Sequence, residues 1–302
     1  MKTVTKKGYA KINLHLDITG RTPDGYHLVE TVMQSISLCD DITLSLREDE
    51  IFSLSCNVEG VPTDNKNLAI KAALAFREKT GVKHGADIEI NKSIPMAAGM
   101  AGGSTDAAAT LLCLNEACGN ILSTEELCEL GASLGADVPF CIVGGTAYAD
   151  GKGDILHDFI KMPDCYILAA CGGEGVSTPF AYKTLDSMYA DFLDESVYTP
   201  HGTESLSEAM SNGDIALIAK ATYNIFQEPI LALRPIAKDI RDTMNDGGAL
   251  GAMMSGSGPS VFGIFADKES AEQTAKTIRQ KGYFAEVCRP VGDAVGRVRE
   301  LS

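Results

Sequence analysis

Apolar and polar residues alternate strictly along Ala10–Leu16 (Ala-Lys-Ile-Asn-Leu-His-Leu) and again along Ile42–Leu46. A period of two is the mark of a half-buried strand, so residues 8–56 read as antiparallel β. Gly20–His27, with Pro23 and Gly25, is a turn between those strands. The period then changes. Leu68, Ala72, Ala75 and Phe76 lie close to one helical stripe over Asn67–Thr80, with Gly81 as its C-cap. Ala86–Asn91 alternates again as a strand, and Asp106–Cys118, rich in alanine and leucine, predicts a helix. Ser104 or Thr105 is its expected N-cap, placing Asp106 in the first turn, where a negative charge suits the helix dipole. Ser123 and Glu126 form a capping box opening a helix over Thr124–Leu134, which Gly135–Phe140 ends. Gly144–Asp150 reads as a strand and Gly151–Asp154 as a turn.

From about residue 158 the pattern restarts. Tyr166–Cys171 is a short buried strand, Pro179–Phe192 a helix, and Asp191–His201 a polar link. Helices are expected over 205–211, 214–227 and 235–245. Ala249–Met254 leads into the small-residue loop Ser255–Pro259, followed by a strand over Ser260–Phe265. A helix capped by Asp267 runs to Lys281, and Tyr283–Cys288 is a last strand. The change of character predicts two domains, residues 1–157 and 158–302, joined near 152–162.

Charge narrows the partners. The 302 residues carry 41 acidic against 26 basic side chains, a formal charge of -15, which repels nucleic acid and anionic membranes. No apolar segment resembles a signal peptide or a membrane span, and nine scattered cysteines without a C-x-x-C pair read as reduced thiols. A cytoplasmic protein is expected. The five histidines show no ligand spacing, so a structural metal is not expected.

The chemistry concentrates between the strand at 86–91 and the helix after it, in Ile94-Pro95-Met96-Ala97-Ala98-Gly99-Met100-Ala101-Gly102-Gly103-Ser104-Thr105. Absent side chains and the free N–H groups of a helix N-terminus make an anion cradle. Gly103 is followed by Ser104 and not by lysine, which excludes a Walker A loop, and Gly99-Met100-Ala101-Gly102 breaks the dinucleotide spacing. Lys11 and Asn13 share one face of their strand, putting a cation beside an amide. Asp137 sits in a tight junction between Ala136 and Val138, away from any solvated helix face.

Ala10-Lys11-Ile12-Asn13-Leu14, Gly25-Tyr26-His27, the cradle, Gly135-Ala136-Asp137-Val138-Pro139 and Gly256-Ser257-Gly258 together resemble the GHMP small-molecule kinases. Within that superfamily they are similar to the kinases acting on 4-diphosphocytidyl-2-C-methyl-D-erythritol, over nearly the whole chain. The resemblance implies an α/β fold of two layers: an ATP-binding domain similar to ribosomal protein S5 domain 2, then a ferredoxin-like substrate domain. It implies transfer of the ATP γ-phosphate, with Mg²⁺, to the tertiary 2-hydroxyl of the methylerythritol unit, for isoprenoid precursor synthesis. Asp137 would be the general base and Lys11 the charge that polarises hydroxyl and phosphate. Pro95 to Thr105 would hold the triphosphate, with Ser104 or Thr105 reaching Mg²⁺. Tyr26 and Tyr182 would sandwich the cytosine, His27 would hydrogen-bond its edge, and Asn13, Gly256 and Ser257 would contact substrate. Asn67, Leu68 and Lys92 align with adenine-side contacts. Ala97, Met100 and Ala101 depart from the family's usual glycine, leucine and glycine. Because alanine at positive φ costs roughly 1–2 kcal/mol, ordinary angles there, or a slightly reshaped loop, are expected. Other readings are a GHMP kinase for homoserine, mevalonate or a sugar, or a non-catalytic ATP-binding sensor on the same scaffold.

Overall fold

A computed structural model of the chain describes residues 2–188 and 198–292. β1 (Thr3–Arg21) and β2 (His27–Leu46) form one long antiparallel ribbon running from the Thr3↔Ser45 pair to the Arg21↔His27 pair. Its register shifts at Tyr9/Lys11 and again at Asn13/His15. Such irregularities re-aim side chains, and these two bracket Lys11 and Asn13. The strand is not half-buried as its alternation predicts. Lys11, Asn13, His15 and Asp17 are at most 5% exposed, because the second half of the chain covers the polar face as well.

β3 (Phe52–Cys56) runs parallel to β4 (Ala86–Asn91), not antiparallel to its neighbours as expected for 8–56. The intervening α1 (Leu68–Thr80) carries the chain back, the connection a parallel pair requires. α2 (Gly102–Ala117) lies across β1 and packs on α1. The approach is close: a Cβ on Gly8 would stand 3.0 Å from the Thr105 carbonyl oxygen. Buried Ala107, Ala108 and Ala109 thin the same helix face. α3 (Thr124–Ala132) has the predicted capping box. The short α4 (Val138–Val143) was not expected, since Pro139 reads as a breaker; it occupies the first turn, where its missing N–H costs nothing. β5 (Thr146–Asp150) pairs with β2, and an unforeseen β6 (Ile155–Asp158) pairs with β5.

The remaining elements are β7 (Tyr166–Cys171), α5 (Thr178–Met188), α6 (Glu204–Ser211), α7 (Ile215–Ala221), β8 (Tyr223–Asn224), α8 (Gln227–Leu233), α9 (Pro235–Asp246), β9 (Gly251–Met254), β10 (Val261–Phe265), α10 (Lys268–Gln280) and β11 (Phe284–Cys288). The second sheet has the order β11-β7-β10-β9, antiparallel throughout. The path β7-α9-β9-β10-α10-β11 is a ferredoxin-like β-α-β-β-α-β unit, with α5 to α8 inserted before α9. The end of the helix predicted to reach Phe192, and residues 191–197 of the predicted link, lie outside the described residues.

The single helix expected over 214–227 is two helices interrupted by β8. The side chain of Asn224 explains the break. Its Nδ2 donates to the carbonyls of Met254 (2.7 Å) and Gly256 (2.9 Å), and its Oδ1 accepts from Phe226 N at 2.9 Å. β8 then pairs in parallel with β1 at His15↔Tyr223, adding a strand from the second half to the first sheet. Among the described residues no helix is long and apolar enough to cross a membrane.

Candidate active site

The head of α2 opens into a cleft of about 470 Å³ whose walls come from both halves of the chain. Helix α2 begins three to four residues earlier than its sequence suggests. Ala101 is the N-cap residue, without a side-chain hydrogen bond, so Ser104 and Thr105 are not caps. Asp106 consequently lies beyond the first turn. The N–H groups of a first helical turn have no intrahelical partner, and here Gly102, Gly103 and Ser104 line the cleft. Thr105 does not: it is fully buried and its Oγ1 donates to the Tyr9 carbonyl at 2.6 Å. Of the two residues expected to reach a metal, only Ser104 lines the cleft.

The loop before α2 is braced from two sides. Lys11 N donates to the Met100 carbonyl (3.3 Å) and Ser260 N to that of Ala98 (3.3 Å). Ser255 Oγ donates to Gly99 O at 3.3 Å and accepts from Asn13 N at 3.2 Å. A Cβ on Gly99, at φ +77°, would stand 2.7 Å from the Ser255 carbonyl oxygen, so only glycine fits. Ala97 (φ 52°) and Ala101 (φ 58°) do not keep ordinary angles. Both are left-handed, at roughly 1–2 kcal/mol each, held there by the contacts around them. Pro95 and the exposed Met96 lie outside the cleft lining, and Met100 is buried beneath it.

Lys11 and Asp137 meet on the cleft floor. Lys11 Nζ donates to Asn13 Oδ1 at 2.8 Å and lies 3.5 Å from Asp137 Oδ1. The lysine side chain is 6% exposed and the aspartate 37%. Asp137 stands at the N-cap position of α4, yet its carboxylate makes no capping bond. It is left facing the cleft. Asn13 Nδ2 donates to Thr31 Oγ1 at 2.8 Å, and that hydroxyl donates to the His15 carbonyl at 2.7 Å. The amide is therefore fixed with its oxygen toward the ammonium. Gly256, at φ +58°, lies beside this pair, where a Cβ would stand 3.4 Å from Asn13 Oδ1 and 3.8 Å from Lys11 Nζ, and Ser257 Oγ lies 3.4 Å from Thr178 Oγ1.

The adenine-side expectations divide. Leu68 lines the cleft, whereas Asn67 spends its side chain on helix α1, its Oδ1 accepting from Ala69 N at 2.9 Å. Lys92 sits beneath the cradle, not in it. Its Nζ bonds Asp40 Oδ2 (2.6 Å) and Asp106 Oδ2 (2.7 Å), both acids buried, and a Cβ on Gly102 would approach that Nζ to 3.3 Å. Burial pushes the Asp106 carboxyl up, against the pull of the Lys92 charge, and Asp106 Oδ1 has no hydrogen-bond partner.

At the other end, Tyr182 of α5 lines the cleft and meets Phe226 edge-on, centroids 4.9 Å apart. Burial first, and the charge of Asp137 second, push its hydroxyl up to about 12, keeping the ring neutral. The His27 ring lies 4.6 Å from that of Tyr182. Tyr26 is 59% exposed outside the cleft, with the Lys152 ammonium 3.8 Å over its ring. The expected aromatic sandwich is thus not assembled: Tyr182 and His27 are together, and Tyr26 stands apart. Sequence reasoning missed Thr31, Phe226 and Lys152 as participants. Lys152 was legible only as part of a Gly-Lys-Gly-Asp turn, and Phe226 was hidden in the overlong predicted helix. A larger surface groove between α9 and α10, about 1070 Å³, contains none of these groups. Among the described residues no cluster of three His, Cys, Asp or Glu side chains could hold a metal.

A phosphate cradle, an ammonium and an open carboxylate around one cleft suit phosphoryl transfer to a small molecule. Comparison with known proteins agrees. Residues 67–145 match the family model for the GHMP kinases N terminal domain, and residues 206–283 that for GHMP kinases C terminal. A 4-diphosphocytidyl-2-C-methyl-D-erythritol kinase from Clostridium perfringens is 41% identical over 281 residues, 93% of this chain and 95% of that one. One from Caldicellulosiruptor saccharolyticus is 42% identical over 273 residues, 90% of this chain and 92% of that one. A crystal structure of 4-(cytidine 5'-diphospho)-2C-methyl-D-erythritol kinase, 30% identical, aligns over 96% of this chain and 100% of its own with a TM-score of 0.78. The chain belongs to the GHMP kinase family.

Proposed function

We propose that this protein transfers the γ-phosphate of ATP to the 2-hydroxyl of 4-diphosphocytidyl-2-C-methyl-D-erythritol. The observation that carries the reading is the Lys11–Asp137 pair, 3.5 Å apart on the cleft floor beside the uncapped start of α2. A tertiary alcohol is a weak acid, so its attack needs a base and a nearby positive charge. Asp137, with its oxygens open to the cleft, takes the hydroxyl proton, a contribution typically worth ~10²–10⁴-fold. Lys11 stabilises the developing alkoxide and the transferring phosphoryl oxygens. Asn13, fixed through Thr31, orients the lysine and contacts the acceptor.

The N–H groups of Gly102, Gly103 and Ser104 hold the triphosphate, and the absence of side chains at the two glycines lets it approach the backbone. The oxygen-rich surroundings suit a hard cation: Ser104 would be a ligand of Mg²⁺, which when bound neutralises phosphate charge. Tyr182 offers a flat, buried face for the base, and Lys152 a cation for the substrate's diphosphate. The identities of 41% and 42% with kinases named for this substrate support the choice over other GHMP kinases.

The test is a coupled ATP-consumption assay offering the cytidyl substrate beside homoserine, mevalonate and simple sugars. A higher kcat/KM for any of those alcohols would overturn the substrate. ATP binding without turnover on every acceptor would establish the non-catalytic sensor instead.

A further inference from the structure

The Lys11 ammonium sits nearer its weaker partner. It lies 2.8 Å from the neutral amide oxygen of Asn13 and 3.5 Å from the Asp137 carboxylate. An ammonium and a carboxylate that are free to meet close to about 2.7–2.9 Å. The other buried lysine beside α2 does close that gap, with Lys92 Nζ 2.6 Å from Asp40 Oδ2 and 2.7 Å from Asp106 Oδ2. Lys11 is therefore held back. The hold leads to Thr31 on β2, which is 3% exposed and sits in a strand paired with β1 on one side and β5 on the other.

Thr31 Oγ1 donates its one proton to the His15 carbonyl at 2.7 Å, so toward Asn13 it can only accept. Asn13 Nδ2 bonds that acceptor at 2.8 Å, which turns Oδ1 to the ammonium, a group that can only donate. The main chain of Asn13 is fixed as well, its N–H donating to Ser255 Oγ at 3.2 Å. We propose that Thr31 is a positioning residue: through the Asn13 amide it holds the Lys11 ammonium off Asp137, so that the carboxylate keeps a lone pair free for the acceptor's proton. Without the hydroxyl, Nδ2 is a buried donor with no partner, the amide leaves its place, and the ammonium closes on the carboxylate. A carboxylate bonded directly to an ammonium is a poorer base. The cation is also drawn away from the acceptor oxygen. The inference rests on the proposed roles of Asp137 and Lys11, and its test separates the two.

The experiment compares the parent with Thr31→Val, which keeps the shape of the side chain, Thr31→Ser, which keeps the hydroxyl, Asn13→Ala, and the double variant carrying Asn13→Ala and Thr31→Val. For each, kcat and both KM values are measured with ATP and the cytidyl acceptor. Calorimetry with ATP counts the binding-competent fraction, and a crystal structure gives the distance from Lys11 to Asp137. Thr31→Val is expected to lower kcat by about tenfold or more per competent site, with the KM for ATP near that of the parent. Its Lys11 Nζ stands about 2.8 Å from the carboxylate. Thr31→Ser recovers most of the loss. Asn13→Ala shows the same closure, and adding Thr31→Val to it changes neither kcat nor the distance, because the hydroxyl acts only through the amide.

A parental kcat in Thr31→Val would overturn the inference, as would a distance that stays at 3.5 Å in Thr31→Val and Asn13→Ala. So would additive losses in the double variant, which would make Thr31 a packing residue of the sheet. Should Thr31→Val not fold, Thr31→Ala, which lacks the hydroxyl and adds no bulk, takes its place in the same comparison. A parent that phosphorylates another alcohol instead would overturn the substrate but not the restraint, which the same comparison on that alcohol decides. A parent without turnover on any acceptor would sink the proposed function and the catalytic purpose of the spacing together.

Discussion

Lys11 and Lys92 lie on either side of the head of α2 and are about equally buried, 5% and 8% exposed, yet they do opposite things. The Lys92 ammonium has its charge saturated by two buried carboxylates. It bonds Asp40 and Asp106 at 2.6 and 2.7 Å, and Asp40 Oδ1 further accepts from the N–H groups of Ser93 (2.6 Å) and Ile94 (2.8 Å). These bonds tie β2, the loop after β4 and α2 into one block under the cradle. Lys11 has one neutral oxygen at 2.8 Å and a carboxylate at 3.5 Å that still faces the cleft. Burial of a charge is therefore no sign of chemistry; a partner with an open side is. The saturated lysine holds the scaffold, and the unsaturated one is available to a substrate.

The strongest way to break that contrast is Asp137→Asn. Turnover should fall by about 10²–10⁴-fold while ATP binding, read by calorimetry, stays near that of the parent. A variant that keeps parental kcat would remove the carboxylate from the chemistry. Lys92→Met is the counterpart. It strands two buried carboxylates, and urea unfolding should show a loss of about 3–5 kcal/mol. A raised KM for ATP with parental stability would instead make Lys92 a nucleotide contact, as its alignment with adenine-side residues suggests.

Much of this was legible in the chain, and the failures have physical causes. The apolar stripe and glycine C-cap of α1, the capping box of α3, the alternation of β4 and the short apolar run of β7 are local, so residues within a few positions determine them. The break at Thr222–Phe226 is not local, because Asn224 takes its partners from Met254 and Gly256, about thirty residues away. The N-terminus of α2 misleads for a related reason. Ser104 and Thr105 are good capping residues, but the left-handed turn at Ala101 is imposed by contacts from Ser255 and Lys11. Lys11 and Asp137 could be named from their unusual settings and from family resemblance. The role of Lys92 could not, since Asp40 lies 52 residues before it.

Asp106→Asn sharpens the contrast from the saturated side. The folded carboxyl is raised to about 7 by burial, against an ordinary value of about 3.9 in the unfolded chain. Between those values the native state holds a proton that the unfolded chain has released. The cluster's contribution is thus full below about pH 4 and is lost as pH rises through 7. Asparagine does not titrate and keeps an oxygen for Lys92. The variant should match the parent near pH 4 and exceed it at pH 8 by on the order of 2 kcal/mol, with a flatter profile between. A variant that is less stable at pH 8 would mean that Lys92 needs both negative charges.

The smallest expected effect concerns the strain on the cleft side. Ala101 holds φ 58° at the start of α2, in a region that costs alanine roughly 1–2 kcal/mol and glycine almost nothing. Glycine also loses more freedom on folding, by roughly 0.5–1 kcal/mol. Ala101→Gly should therefore stabilise the protein by about 0.5–1 kcal/mol, seen as a higher urea midpoint with an unchanged slope. ATP affinity should not improve with it, because alanine already sets the loop in its binding shape and glycine would loosen the free state. An unchanged midpoint would mean that the bonds from Lys11 N and Ser255 Oγ do not hold Ala101 against its own preference. The cradle would then owe its shape to the buried block around Lys92 alone.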